Sequence, residues 1–576
     1  MATSHRVVYL LSALVYLLPT QTAGHNSPVP TYFHRTYPNG TMVDARDKTL
    51  RDILREKPPI IKLAPTAKLT ATPALVRNGD TVQVSWGGIP NPDISDYIAL
   101  YCPKHDDYHH YLDYFYANVS QSWRDGTGSR DVLMYNMRSD CEFRYIRGTP
   151  QTLAVSNTVS FLWGLIEPLQ GHIALTGDPT QMRITWVSGT DSLPSVLYGE
   201  SQPEIRVTGS SRTYSNDSMC GPPASSTGFW DPGYIHEVLL TGLRPDTVYQ
   251  YSYGSVEKMS AVRSFHTAPI PGPDVPFKFV VYGDMGVSAP PGSVVTARLA
   301  LQEVIANKAA FIFHVGDISY ARGYAYVWEQ WHTLIEPYAT LVPYMVGIGN
   351  HEQDHTSGGA KDPSGAPGDG FHPWWGDFGD DSGGECGVPM YQRFRMPDNG
   401  NALWWYSFDY GSVHFVMMST EHNFTRGSPQ YEWLERDLRG VDRKTTPWVI
   451  LGGHRPMYTS EISPADYIVS KGMQHAFEDL LSEYHVDLAL WGHYHAYERT
   501  CPVYNQKCQA GATTHIIVGT AGWTLDPDRY WKMDWSMYHD NEFGYGRITV
   551  HNSTAMYWEW VRNRDNAVVD VVWLTK

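Results

Sequence analysis

After residue 18 the chain has no apolar run approaching the roughly 20 residues that cross a bilayer. A repeatedly spanning membrane protein is excluded, and no membrane partner is expected. Basic residues are also scarce, at 44 Lys and Arg against 60 Asp and Glu, a net charge of −16. Such a chain repels polyanions at long range, so no nucleic-acid polymer is expected as a partner, although a local site can still hold a small anion. Charged residues make up only 18% while aromatics reach 13%, a balance that excludes disorder. Cysteine is sparse too, with six in 576 residues.

What is present begins with a secretory signal. Arg6 flanks the apolar run "VVYLLSALVYLL" (7–18), and Thr22 and Gly24 supply small residues before a cut near His25. A secreted, extracellular product is expected. The even number of cysteines fits that route, and Cys501 and Cys508 are close enough to close a small loop. Sequons at Asn39, Asn118, Asn216, Asn423 and Asn552 predict a glycoprotein.

The chain is long enough for several domains. After the signal (1–24), a polar extension covers 25–60. "KLTATPALVRNGDTVQVSWGGIP" (68–90) alternates with period two and opens an all-β module over 61–165. A second β module spans 166–270, where "LRPDTVYQY" looks like the late strands of a fibronectin type III sandwich. The Pro-rich "APIPGPDVP" (268–276) reads as a hinge. From 271 to 576 apolar strands alternate with amphipathic helices, near 293–308, 325–341, 429–441 and 470–484. The expected fold is therefore multidomain, all-β modules followed by an α/β domain. Functional groups in such domains collect at the carboxyl ends of the strands.

Five of those ends carry a polar cluster. They place Asp284 in "YGDMG", Asp317 and Tyr320 in "GDISY", Asn350 and His351 in "GIGNHE", His454 in "LGGHRP", and His493 and His495 in "WGHYHAYER". Glycine precedes the cluster each time, at 283, 316, 349, 453 and 492, as backbone crowded around one centre requires. Carboxylate and phenolate are hard donors and imidazole is borderline. Seven candidate ligands exceed what one tetrahedral zinc takes, and they suit two ions sharing a carboxylate.

With these blocks in order, the chain resembles the purple acid phosphatases, within the metallophosphoesterases, over about 166–576. The added β module, with "GHRPMY", "GGECGVP" and "STEHNF", looks like the high-molecular-weight plant-type branch. The resemblance implies a catalytic β-sandwich flanked by helices. A general metallophosphoesterase opens with Asp-x-His; here that His position is Gly286, and Tyr320 would supply the missing donor. A phenol ionises readily only on a strongly acidic ion. By resemblance, Asp284, Asp317, Tyr320 and His495 would bind Fe(III). Asn350, His454 and His493, with Asp317 bridging, would bind a divalent Zn, Mn or Fe.

The resemblance also implies hydrolysis of small phosphate monoesters by metal-bound hydroxide, with an acidic optimum. Asn350 and His351 would bind the substrate, and Arg455 is a further candidate for a substrate oxygen. Small plant relatives carry an adjacent His pair a few residues after the "H-x-P-x-Y" block. "RPMYTSEISPADY" has none, so His351 and His422 are the candidate catalytic histidines. The insert at about 355–385 reads as a Gly-rich loop near the site. A nucleotide pyrophosphatase/phosphodiesterase or a phytase would use the same centre with another rim. A non-catalytic binding or adhesion protein is a more distant reading, against which all seven ligand positions are filled. Oligomeric state is not legible, and a homodimer is compatible.

Overall fold

The computed structural model describes residues 60–61, 63–105, 111–147, 151–287, 292–376 and 378–576. The expected signal, the extension as far as residue 59 and the Asn39 sequon lie outside the described residues. The chain divides at Glu167/Pro168 into two compact units.

In the first unit the sequence alternation becomes alternate burial. Leu69 and Ala71 on the strand Lys68–Thr72, and Val82, Val84 and Trp86 on Thr81–Gly87, face inward. The Trp86 ring lies 6.2 Å from Phe115 and 6.4 Å from Tyr145, whose hydroxyl donates to buried Asp96 at 3.0 Å. A five-stranded and a three-stranded sheet form most of this all-β unit, and a disulfide joins Cys102 to Cys141.

The second unit opens with a sandwich of two four-stranded sheets built from the strands between Leu169 and His266. The proline-rich stretch after it is not a hinge between independent bodies, because residues 168–576 form one unit. Buried polar groups explain the difference. Arg393, 1% exposed, donates to Gln170 Oε1 at 2.6 Å and to Glu329 Oε1 at 3.2 Å. Tyr251 donates to the Thr340 carbonyl at 2.7 Å and Tyr253 to Glu336 at 2.6 Å. A disulfide also joins Cys220 to Cys386. Separating the sandwich would strand these groups without partners, at about 1–3 kcal/mol each.

The rest is two mixed sheets face to face. In one, Phe277–Tyr282, Ile312–His314 and Tyr344–Val346 run parallel, and three antiparallel strands from Gly544 to Thr575 extend it. In the other, Val413–Met417, Trp448–Gly452, Leu488–Trp491 and Thr513–Val518 run parallel. Phenylalanines interlock between them, with Phe279 5.2 Å and Phe311 5.3 Å from Phe415. Helices Gly292–Ile305 and Ala325–Ala339 accompany the first sheet. Pro429–Gly440 and Pro464–Glu483 pack on the second. On the last helix Val469, Met473, Phe477 and Leu480 are buried at helical spacing. It starts six residues before the expected 470, at the Ser463-Pro464 pair that favours a first turn.

Cys501 is bonded to Cys508. Of the described sequons, Asn216 and Asn423 are exposed and Asn118 and Asn552 partly so. Among the described residues no helix is long and apolar enough to cross a membrane.

His414 ties the second sheet to a helix. Its Nδ1 is 2.7 Å from Asp409 Oδ1, and its Nε2 is 2.9 Å from Asp437 Oδ2 on Pro429–Gly440. Burial alone would lower its pKa, but the two carboxylates outweigh burial and push it from 6.5 up to about 9. A raised folded-state pKa stabilises fully below the unfolded value and is lost as pH rises through the folded one. The contribution is about 1–3 kcal/mol once water screens the more exposed Asp409. Urea midpoints of the wild type are expected to fall between pH 6.5 and 9.5, and His414→Gln to remove most of that slope.

Candidate metal centre

The five expected strand ends meet. Tyr320 Oη lies 3.1 Å from Asp284 Oδ1 and 2.7 Å from His495 Nε2, while His495 Nε2 and Asp284 Oδ1 are 3.5 Å apart. Asn350 Oδ1 lies 2.9 Å from His454 Nε2 and 3.1 Å from His493 Nδ1. His454 Nε2 is 3.2 Å from Asp317 Oδ1, which joins this second group. Asp284, Asp317 and His454 together offer ligand atoms close enough for one ion. Donors around a common ion at bond lengths near 2.1 Å stand about 2.9–3.4 Å apart. Both groups therefore have the spacing of coordination shells, one rich in anionic oxygen and one mostly neutral.

Crowding accounts for the glycines. A Cβ on Gly349 would stand 2.2 Å from Asp317 Oδ1, and one on Gly492 would stand 2.5 Å from Asp284 Oδ2. At Gly286, where φ is +58°, a side chain would meet Trp523 at 2.8 Å and Tyr320 at 3.2 Å. The position that would hold His in the wider superfamily is thus filled by the Tyr320 ring, stacked on Trp523 at 4.1 Å between centroids. Asp284, Asp317, Tyr320 and His493 all have φ between 50° and 71°. This left-handed backbone is costly for residues with a Cβ and is kept where the surroundings enforce it.

Each neutral ligand has its far side fixed. His454 Nδ1 is 3.1 Å from the Val315 carbonyl, and His495 Nδ1 is 2.6 Å from that of Thr524. His493 Nε2 is 3.1 Å from Asp466 Oδ1, and Asn350 Nδ2 donates to Asp381 Oδ2 at 2.9 Å. Such partners set the tautomer and leave one lone pair facing the centre. Glu352 binds two ligand loops together, accepting from the Ile318 N–H at 2.9 Å and the Gly349 N–H at 3.1 Å.

The electrostatics favour cations. Asp284 and Asp317 are 0% and 1% exposed, and among the described residues neither forms an ion pair with Lys or Arg. Burial raises the Asp284 carboxyl, whereas His454 and His351 hold Asp317 well below its usual value against burial. Burial, then Asp284 and Asp317, push the Tyr320 phenol far up. Against burial, Asp317 and Asp284 push His454 up to about 10. A pocket that penalises each anion and rewards a proton is one that a multivalent ion would relieve. The donor set fits two cations.

The remaining candidates divide. His351 stands at the centre, its backbone N–H donating to Asp317 Oδ1 at 3.1 Å and its ring 4.6 Å from that of Tyr320. Arg322, which the sequence reading missed, places its guanidinium 2.9 Å from His351 Nε2. Its one signal is its position two residues after Tyr320. Arg455 donates to Glu421 at 2.9 Å and to Asp354 at 3.0 Å, with Nη1 3.5 Å from His493 Nε2. His422 is buried, 2.8 Å from Ser419 Oγ, between the rings of Trp404 and Trp405. Its Nε2 has no hydrogen-bond partner among the described residues. The insert is anchored at the site by Asp354 and Asp381.

Comparison with known proteins agrees with this geometry. The family descriptions "Purple acid Phosphatase, N-terminal domain", "Calcineurin-like phosphoesterase" and "Iron/zinc purple acid phosphatase-like protein C" match residues 168–267, 277–497 and 512–571. The chain is 34% identical to "Probable inactive purple acid phosphatase 9" of Arabidopsis thaliana over 561 residues, covering 86% of this chain and 84% of the relative. It is 32% identical to a "Nucleotide pyrophosphatase/phosphodiesterase" of Hordeum vulgare, covering 53% of this chain and 85% of the relative. The solved purple acid phosphatase from yellow lupin (Lupinus luteus) seeds superposes with a TM-score of 0.78 at 30% identity, covering 89% of this chain and 96% of that one. The chain belongs to the purple acid phosphatase family.

Proposed function

We propose that this protein is a secreted acid phosphatase that hydrolyses small phosphate monoesters at a paired-cation centre, ferric on the Tyr320 side and divalent on the Asn350 side. The observation that carries this reading is the complete set of seven donors around two buried carboxylates with no Lys or Arg partner. Several relatives are named "probable inactive", the Arabidopsis protein above among them. An inactive protein has no need to keep four ligands on left-handed backbone. Secretion is supported by the N-terminal sequence and by three disulfides.

Asp284, Tyr320 and His495 would hold the ferric ion, and Asn350, His454 and His493 the divalent one, with Asp317 between them. When bound, the pair supplies Lewis-acid activation of water and of the phosphoryl group. The chain's own residues do the positioning. Three fixed imidazoles and an oriented amide keep the donors in place without reorganisation during the reaction. His351, held beside Asp317, is placed to donate to a phosphoryl or leaving-group oxygen. Arg322 supplies positive charge at the same edge. The buried His422 stands apart from the donors and is the weaker candidate for proton donor.

The barley relative's name supports a second reading, cleavage of nucleotide diphosphate or diester bonds at the same centre. Rates on p-nitrophenyl phosphate, its bis-ester, phytate and ATP separate the two.

Elemental analysis of the purified protein is expected to find iron and one divalent metal, with a visible tyrosinate-to-iron band. Tyr320→Phe is expected to lose the band while the protein stays folded. Asp317→Asn should lower kcat/KM on p-nitrophenyl phosphate by about 10³-fold or more, the several kcal/mol that a metal contributes. Activity of the wild type should peak below pH 7. A colourless wild type without esterase activity would sink this reading. Chelation should lower the thermal midpoint of the wild type, since ligand binding at a thousand times Kd adds about 4 kcal/mol. An Asp284→Asn/Asp317→Asn double variant should not respond.

A further inference from the structure

The two coordination groups differ in what stands behind them. On the Tyr320 side, His495 is backed by the Thr524 carbonyl, and Asp284 and Tyr320 bring anionic oxygen themselves. On the Asn350 side the amide and both imidazoles are neutral, and only the shared Asp317 is anionic. Two of these neutral ligands are backed by carboxylates. Asp381, from the insert, accepts from Asn350 Nδ2 at 2.9 Å. Asp466, in the first turn of the helix Pro464–Glu483, faces His493 Nε2 at 3.1 Å.

We propose that Asp381 and Asp466 are positioning residues that make the Asn350–His454–His493 group a divalent-cation site, and that the ferric side does not depend on them. The proposal rests on the paired-cation reading above. An ionised carboxylate only accepts hydrogen bonds, so Asp381 requires the Asn350 nitrogen to face it and turns Oδ1 toward the centre. Without that acceptor the amide can present its NH2, which has no lone pair for a cation. Asp466 requires His493 to carry its proton on Nε2, which leaves the Nδ1 lone pair facing inward and makes that nitrogen more basic. The two carboxylates also place negative charge one hydrogen bond from the ion, on the side that otherwise has least. Ser463 donates to Asp466 at 2.6 Å and so holds it in place.

The test uses full-length protein and Zn(II) as the probe. Asp381→Asn and Asp466→Asn are made alongside Asp381→Glu and Asp466→Glu. Thermal unfolding monitors folding, the visible band monitors the phenolate side, and competition with a chromophoric chelator gives zinc affinity. Each Asn variant is expected to bind zinc 10- to 100-fold more weakly, the usual cost of losing such a partner. The band and thermal midpoint of the zinc-free protein should be unchanged, and the Glu variants should recover part of the affinity. Excess zinc should restore the metal count of the Asn variants. Zinc affinity within twofold of wild type in both Asn variants overturns the proposal. So does parallel loss of the band and zinc, which would mark a general structural role. A wild type that takes up two metals leaves the paired-cation reading standing in either case, whereas one that takes up none removes both.

Discussion

Two carboxylates, Asp284 and Asp317, are buried side by side without a Lys or Arg to neutralise them. The surrounding architecture follows from that constraint. Burying a charge without a partner costs several kcal/mol, and two like charges add repulsion. The fold holds them there by anchoring each at the end of a parallel strand locked into a phenylalanine-rich sandwich. The same anchoring sets Asp284, Asp317, Tyr320 and His493 in left-handed backbone, with glycines beside them where a Cβ would strike a ligand. Stability is given up locally so that positive charge is wanted there.

Much of the centre was legible because its donors sit in short Gly-flanked blocks. Chemistry and position coincide within three or four residues in "GDISY" or "GNHE". Tyr320 was legible through a vacancy, the glycine at 286, and the structure gives the steric reason, since the phenol ring and Trp523 fill that space. The α/β alternation was legible because buried parallel strands read as unbroken apolar runs.

What stands behind the donors was not legible. Asp381 lies 31 residues from Asn350 and Asp466 lies 27 from His493, in segments with no pattern to connect them. Arg455 read as a substrate ligand because it follows His454, yet Glu421 and Asp354, from distant segments, pair with it. His422 follows a strand in a polar sequence, but Trp404 and Trp405 enclose it. The proline-rich stretch after residue 267 has hinge composition, and only the buried Arg393 network makes it rigid. In each case the deciding contact is long-range, and local composition carries no trace of it.

The Cys220–Cys386 bond joins points 166 residues apart, and Cys386 follows Asp381 by five positions. A crosslink of that span removes about 5 kcal/mol of freedom from the unfolded chain. Its second effect is local, because it fastens the return arm of the insert to the preceding sandwich. Thiols that cleave it would leave every inner donor chemically intact and slacken the arm that carries Asp381. Exposure to a reducing environment would then register first as a loosening of one flank of the pocket, before any loss of the sheets beneath it.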